Sequence, residues 1–143
     1  SKAELRSGIT YKLARYDNIQ NTEFQNATDE FLHTPNLSGN IRLNYSILND
    51  LSLNLGAKYI GKMKILHEAA GKIKSTPAFY VFDLGILSDV DIISGVDSNL
   101  KIGVKNITNA YQNDLDRGFD RDPGYVYGPS LPRAFYLDLS VSL

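Results

Sequence analysis

At 143 residues, 43% of them hydrophobic, the chain suffices for one ordinary domain, and its 15 basic against 16 acidic side chains create no general basic field to draw in nucleic acid. It has no cysteine, which excludes disulfides, thiolate metal sites and cysteine nucleophiles. No run approaches the roughly 18 apolar residues of a membrane-spanning helix, whereas the roughly 9–11 alternating residues of a membrane strand escape such a count.

Alternation first appears over about 3–15, where Leu5, Ile9, Tyr11 and Leu13 share one parity and Glu4, Arg6, Gly8, Thr10 and Lys12 the other. Successive strand side chains point to opposite faces, so the pattern predicts a strand with one apolar and one polar face. Residues 16–36 are rich in Asn, Asp, Gln and Thr, have no period and end in His33-Thr34-Pro35-Asn36, which reads as a long polar loop. The cleanest alternation follows over 37–47, with Leu37, Ile41, Leu43, Tyr45 and Ile47 against Ser38, Asn40, Arg42, Asn44 and Ser46. Leu48-Asn49-Asp50 supplies a tight turn and 51–60 repeats the pattern, so a hairpin is expected. Residues 61–77, with Lys62, Lys64, Lys72 and Lys74, read as a second long loop with a short helical turn near His67 to Ala70. A fourth strand is expected over about 78–90, a turn over about 94–99 and a fifth strand over about 100–108. A third long loop carrying Pro123, Pro129 and Pro132 precedes a terminal strand over 133–143, whose Phe135, Leu137, Leu139, Val141 and Leu143 share a face.

The expected fold is all-β, an antiparallel up-and-down meander of about six long strands whose connections alternate long and short. Long loops on one side and short turns on the other are the habit of outer-membrane barrels. Charge follows the same division. The central apolar-face positions Ile41, Leu43, Leu53, Leu55, Phe82, Leu84, Ile102, Leu137 and Leu139 hold no ionisable group, whereas Arg42, Lys58, Asp83, Lys101, Lys105 and Asp138 lie on the other face. A bilayer imposes that segregation, because an Arg or Lys at the midplane of a lipid-facing wall costs about 2–4 kcal/mol. Tyr11, Tyr59, Tyr80 and Phe135, at strand ends beside the long loops, are placed as an interfacial girdle would be. The alternative is a soluble antiparallel barrel or sandwich binding a small apolar ligand or a carbohydrate, which also segregates charge. Six such strands need a cover for the apolar side, and the sequence offers no amphipathic helix for it.

Two blocks carry a family resemblance: Gly103-Val104-Lys105-Asn106-Ile107-Thr108-Asn109-Ala110-Tyr111, and Tyr127-Gly128-Pro129-Ser130-Leu131-Pro132-Arg133-Ala134-Phe135-Tyr136-Leu137. They resemble the penultimate strand and closing segment of TonB-dependent outer-membrane receptors, and His33 to Leu37 and Leu51 to Gly61 are similar to the preceding hairpin of that family. The resemblance implies the C-terminal part of a 22-stranded transmembrane β-barrel in a Gram-negative outer membrane. It also implies extracellular loops at 16–36, 61–77 and 109–132, and a plug domain and signal peptide upstream, absent from these residues. The implied function is uptake of a scarce ligand, such as an iron chelate, cobalamin or an oligosaccharide. The implied partners are outer-membrane lipid, an energy-coupling protein acting through the missing plug, and the barrel-assembly machinery acting through the C-terminal strand. Two departures stand out: Leu143 ends the chain where the family usually has an aromatic residue, and Ser130-Leu131 replaces a common Gly-Arg pair, leaving Arg133 matched.

No nucleophile elbow, His-Glu-x-x-His or phosphate loop occurs, so no catalytic residue is expected, and neither is a cofactor. His33 and His67, even with Glu68, fall short of the three or four ligands at defined spacing that a metal centre needs, and they read as solvated loop histidines. Asp114, Asp116, Asp120 and Asp122 lack the spacing of a calcium loop and, interleaved with Arg117 and Arg121, read as an internally paired, solvated segment. The candidate ligand contacts are the loop aromatics Tyr111, Phe119, Tyr125 and Tyr127, which suit sugar rings or a siderophore, together with Arg133.

Overall fold

The computed structural model describes residues 2–90 and 96–142. Its elements in chain order are β1 (Ala3–Tyr11), β2 (Arg15–Gln20), β3 (Thr28–Glu30), β4 (Leu37–Ser46), β5 (Leu51–Ile60), β6 (Lys64–His67), a 3-10 turn (Glu68–Ala70), β7 (Lys72–Ser75), β8 (Phe79–Asp89), β9 (Asp97–Lys105) and β10 (Ala134–Ser142). Six strands form one antiparallel sheet in the order β1-β4-β5-β8-β9-β10, and β2–β3 and β6–β7 form two small hairpins. Both hairpins lie inside long connections, which all leave the same end of the sheet.

The register aligns the apolar positions across the whole sheet. One row runs Leu5–Leu43–Leu55–Leu84–Val104–Phe135, and the next runs Ala3–Tyr45–Leu53–Ile86–Ile102–Leu137. Directly opposed residues share a face, so these rows form a continuous apolar surface free of charge. Among the described residues nothing covers it, and Leu137 is 70% exposed. The buried hydrophobic residues are Ile65, Ile73, Phe79, Tyr125 and Tyr127, all in or beside the long connections. The packed core thus sits at the loop end, and the sheet is a bare two-faced wall.

Several boundaries differ from expectation. The segment 3–15 does not run as one strand: Lys12 N–H donates to Asn36 O at 2.9 Å, after which Pro35 cannot donate and pairing with β4 stops. Arg15 instead opens β2, pairing with Glu30 and holding Asp29 at 3.0 Å. The loop expected over 61–77 contains the β6–β7 hairpin, with Gly71 at φ 60° closing its 3-10 turn. β9 already starts at Asp97, so 97–99 are strand rather than turn, and it ends at Lys105 because Asn106 takes φ 51°. The turn expected from residue 94 and the terminal Leu143 lie partly or wholly outside the described residues.

Candidate functional site

The loop end is one packed body built from three connections. The β2–β3 connection adds to the β6–β7 hairpin through parallel bridges Gln25–Lys72 and Leu32–Lys64, with Gln25 N–H donating to Gly71 O and His33 N–H to Lys64 O. The third connection, between β9 and β10, folds against the other side of β6–β7. Its start is fixed by Asn106, which is 2% exposed. The Asn106 backbone N–H donates to Asp83 Oδ1 at 2.8 Å, its Nδ2 donates to the carbonyls of Ala110 and Leu131 at 2.9 Å each, and its Oδ1 accepts from Ala110 N–H at 2.8 Å. One amide thereby ties both ends of the loop to the rim of β8. Asn109 Oδ1 adds a clasp on Arg133 N–H at 2.9 Å.

Further along, Gln112 holds the returning chain, donating to Tyr125 O at 3.0 Å and accepting from Tyr127 N–H at 2.9 Å. Gly128 passes so close that a Cβ there would sit 2.7 Å from the Gln112 backbone nitrogen. Tyr125 and Tyr127, 2% and 8% exposed, meet edge to face at 5.4 Å and pack with Ile65 and Phe79. Both phenols donate to Asp114, and Lys74 Nζ donates to Tyr125 Oη at 3.1 Å while lying 4.5 Å from its ring centroid. Burial pushes the Tyr125 phenol well up, aided by Asp114, and the same causes push Tyr127 up to about 12. Burial also raises Asp114, but hydrogen bonds from Tyr127, Tyr125 and Gln112 with the charge of Lys74 outweigh it and hold the carboxyl below its ordinary value.

His67 is buried, contrary to its reading as a solvated loop residue. Its ring stacks on Tyr125 at 3.9 Å and its Nε2 lies 2.6 Å from Asp116 Oδ2. That bond, with the backbone N–H of Asp122, holds Asp116 below the usual carboxylate range. The acidic segment is likewise not paired within itself. Asp114 serves two tyrosines, Asp116 serves His67, and Asp122 Oδ2 accepts from Glu68 N–H at 2.7 Å, while no ion pair joins these carboxylates to Arg117 or Arg121 among the described residues. Among those residues no group of three or more His, Asp or Glu side chains is arranged to hold a metal ion.

Catecholate siderophore receptor Fiu from Escherichia coli strain UTI89 is 27% identical over 134 residues, covering 94% of this chain and 17% of the receptor. Fiu of strain K12 is 28% identical over 113 residues, 79% of this chain and 14% of the receptor. The crystal structure of the ferric-catecholate import receptor Fiu from K12 in its closed form superposes with a TM-score of 0.69 at 24% identity, covering 96% of this chain and 18% of that one. The chain matches the β-barrel of TonB-dependent outer-membrane receptors. It spans under a fifth of the length of these relatives, and no protein-family model matches it.

Against the barrel frame, the five predicted contact residues divide. Tyr111, Phe119 and Arg133 face solvent, Phe119 completely at 102% exposure, whereas Tyr125 and Tyr127 are interior. Phe119 borders a hollow of about 490 Å³ shared with His67, Asp116, Arg117 and Arg121. Sequence reasoning missed Asn106, Gln112 and Asp114 as organisers. The available signal was that Asn106 sits within the motif block, where a short polar side chain suits left-handed backbone and local hydrogen bonding; Gln112 and Asp114 carried no such signal.

Proposed function

We propose that this chain forms the closing wall of a TonB-dependent outer-membrane transporter that takes up a ferric siderophore, with ferric catecholates as the first candidates. The observation that carries the reading is the two-faced sheet: unbroken apolar rows with no covering element among the described residues, and ionisable groups confined to the opposite face. Such a face is stable against lipid tails and unfavourable in water, at about 25 cal/mol per Å² of apolar surface left wet. A soluble barrel or sandwich is not favoured for the same reason. The relatives are transport receptors rather than enzymes, which supports a non-catalytic role.

In this reading β1 and β10, the free edges of the sheet, pair with further strands of a complete barrel, since six strands do not close one. The loop body faces outwards. Tyr111, Phe119 and Arg133 supply its solvent-facing contacts, and Tyr125 and Tyr127 set its shape from within. The test is iron-limited growth of an Escherichia coli strain lacking its own catecholate receptors but carrying the full-length receptor that contains this segment. Growth on a ferric catecholate, abolished by deleting the energy-coupling protein, is the expected result. Growth that does not depend on that protein, or none on any ferric chelate, overturns the reading.

A further inference from the structure

We propose that Tyr136 is the register lock of β10: its ring seats in a slot formed by one glycine on β9 and one on β8, and that seat selects the β9 residues with which β10 pairs. The inference goes beyond the transport reading and holds whatever ligand the barrel carries.

Period two leaves the register open in steps of two. A slip of one residue turns every side chain to the wrong face, whereas a slip of two returns each to its own. Leu137 would then meet Leu100 or Val104 in place of Ile102, and an apolar surrounding distinguishes little among the three. A tight turn does not settle the choice either. β4 and β5 are joined by 47–50, where Leu51 O accepts from the N–H groups of Ile47 and Leu48, but 106–133 separate β9 from β10. A connection that long imposes no pairing in the way a hairpin turn does. The clasps of Asn106 on Leu131 O and of Asn109 on Arg133 N–H act only at the loop end, outside the paired residues.

The registers differ on the charged face. Tyr136 lies opposite Gly103, and Gly103 lies opposite Gly85, so two positions without side chains adjoin beneath the ring. Tyr136 is also the one residue of β10 that is not exposed. A Cβ at Gly85 would come 2.5 Å from Tyr136 Oη, while the next nearest atoms lie at 3.7 Å, so the phenol is what fills the space that Gly85 leaves. Lys105 and Lys101, two residues to either side of Gly103, hold their ammonium groups 5.6 and 5.8 Å from the ring centroid and flank it along β9. After a slip of two residues the ring would lie over Lys105 in one direction, or over Lys101 and Leu87 in the other, where side chains take up the room. The observed register is the one in which the largest side chain on this face of β10 meets the gap.

The test reads the register by disulfide trapping in the full-length receptor, in the outer membrane of Escherichia coli; residues 1–143 contain no cysteine to compete. Leu137→Cys is combined with Ile102→Cys, its observed partner, or with Leu100→Cys or Val104→Cys, its partners after a slip of two. Directly opposed residues bring their Cβ atoms to about 4.5–5.5 Å, whereas diagonal neighbours stand roughly 7–8 Å apart, too far for a disulfide. With Tyr136 and both glycines in place, oxidation is expected to join 137 to 102 and to neither of the others. In Tyr136→Ser, bonds from 137 to 100 or 104 are expected in about one-tenth or more of the assembled receptor. Gly85→Ala, whose close contact is with the Tyr136 hydroxyl, is expected to give a smaller share of slipped bonds, and Gly85→Ala/Tyr136→Phe to restore the native bond by itself. A change that only weakens the barrel lowers the amount of receptor and leaves the native bond as the single product. If Tyr136→Ser leaves too little receptor to read, the milder Gly85→Ala decides. Native bonds alone in these variants overturn the proposal and leave the register to the Asn106 and Asn109 clasps, and slipped bonds with Tyr136 and both glycines intact overturn it as well. The readout needs no ligand, so its failure is distinct from a failure to grow on a ferric catecholate.

Discussion

His67 Nε2 stands 2.6 Å from Asp116 Oδ2 across 49 positions of chain, so a side chain of the β6–β7 hairpin bonds directly to the connection between β9 and β10. The stacked ring of Tyr125 covers the imidazole and leaves its Nδ1 buried without a partner. His67 thus contributes one directional bond and one stacking contact to the junction, beside Asp122 accepting from Glu68 N–H and Lys74 donating to Tyr125 Oη.

His67→Ala removes both contacts at once. Amide exchange over residues 112–127 is expected to accelerate about tenfold, while the amides of β4 and β5 keep their rates, because the loop body opens without the sheet. Exchange rates in 112–127 that match wild type would show that Asn106, Gln112 and the Lys74–Tyr125 contact hold the loop without His67.

Acid and alkali should loosen the same loop for opposite reasons. Asp114 and Asp116 are lowered from the ordinary aspartate value of 3.8, so the unfolded loop binds protons more readily. Their contribution is complete above pH 3.8 and is lost as pH falls through the lowered values. The tyrosines run the other way. Tyr127 is raised from 10.0 to about 12, so its contribution is complete below pH 10.0 and disappears as pH rises through about 12. Tyrosinate absorbance is expected to show a late component from Tyr125 and Tyr127, and Tyr125→Phe/Tyr127→Phe should remove it.

Asn106 is the residue on which the loop ends converge. Replacing it with Ala leaves the N–H of Ala110 and the carbonyls of Ala110 and Leu131 without their partner and forces a Cβ-bearing residue to hold φ 51° with no side-chain bond in return. We expect a cost of about 2–3 kcal/mol. Asn106→Asp tolerates the backbone angle and can still accept from Ala110, but loses both donors. The measurement is urea unfolding in detergent micelles followed by tyrosine fluorescence. Equal midpoints for wild type and Asn106→Ala would refute the role.

The wall was legible in the sequence because its grammar is period two, which assigns each residue to a face by its parity alone. Leu43, Leu55, Leu84 and Phe135 could be assigned to one face without knowing their neighbours. The loop body was not legible for the converse reason. Its order comes from pairings such as His67–Asp116 and Lys74–Tyr125, separated by 49 and 51 positions, which no local pattern announces. Tyr125 and Tyr127 could be singled out as functional aromatics, but whether they point at solvent or into a core was decided by Ile65 and Phe79 from another connection. The Asp-Arg interleaving was similarly misleading, because charges close in sequence are not thereby close in space.

The glycines under Tyr136 give a prediction for the charged face. An alanine Cβ at position 103 would lie 2.5 and 2.6 Å from Tyr136 Oη and Cζ and closer still to the Leu84 carbonyl oxygen, so both the ring and the neighbouring strand must give. Gly103→Ala is expected to destabilise the barrel by about 1–3 kcal/mol. Combining it with Tyr136→Ser should cost less than the sum of the two single changes, because the part of the clash made by the ring disappears and only the Leu84 carbonyl contact remains. Strict additivity in unfolding midpoints would mean that Tyr136 does not rest on Gly103.

The sharpest test of the facing uses neighbours on β10. Leu139 lies on the apolar face in register with Leu100, and Asp138 lies on the opposite face beside Lys101. Both side chains of β10 are solvent-exposed in the sheet by itself, so exposure cannot rank them and only the surrounding medium can. If the apolar face meets lipid, Leu139→Arg places a guanidinium among acyl chains at a cost of about 2–4 kcal/mol, less where it can snorkel to the interface. Asp138→Arg meets water and a neighbouring Lys101, a repulsion that solvent screening keeps small. The expected result is loss of heat-modifiable, outer-membrane-resident receptor for Leu139→Arg and near-normal amounts for Asp138→Arg. The reverse ranking would place lipid on the charged face, which the cluster of Arg42, Lys58, Lys101 and Lys105 on one side of a single sheet makes untenable, so it would require the register itself to be displaced by one residue.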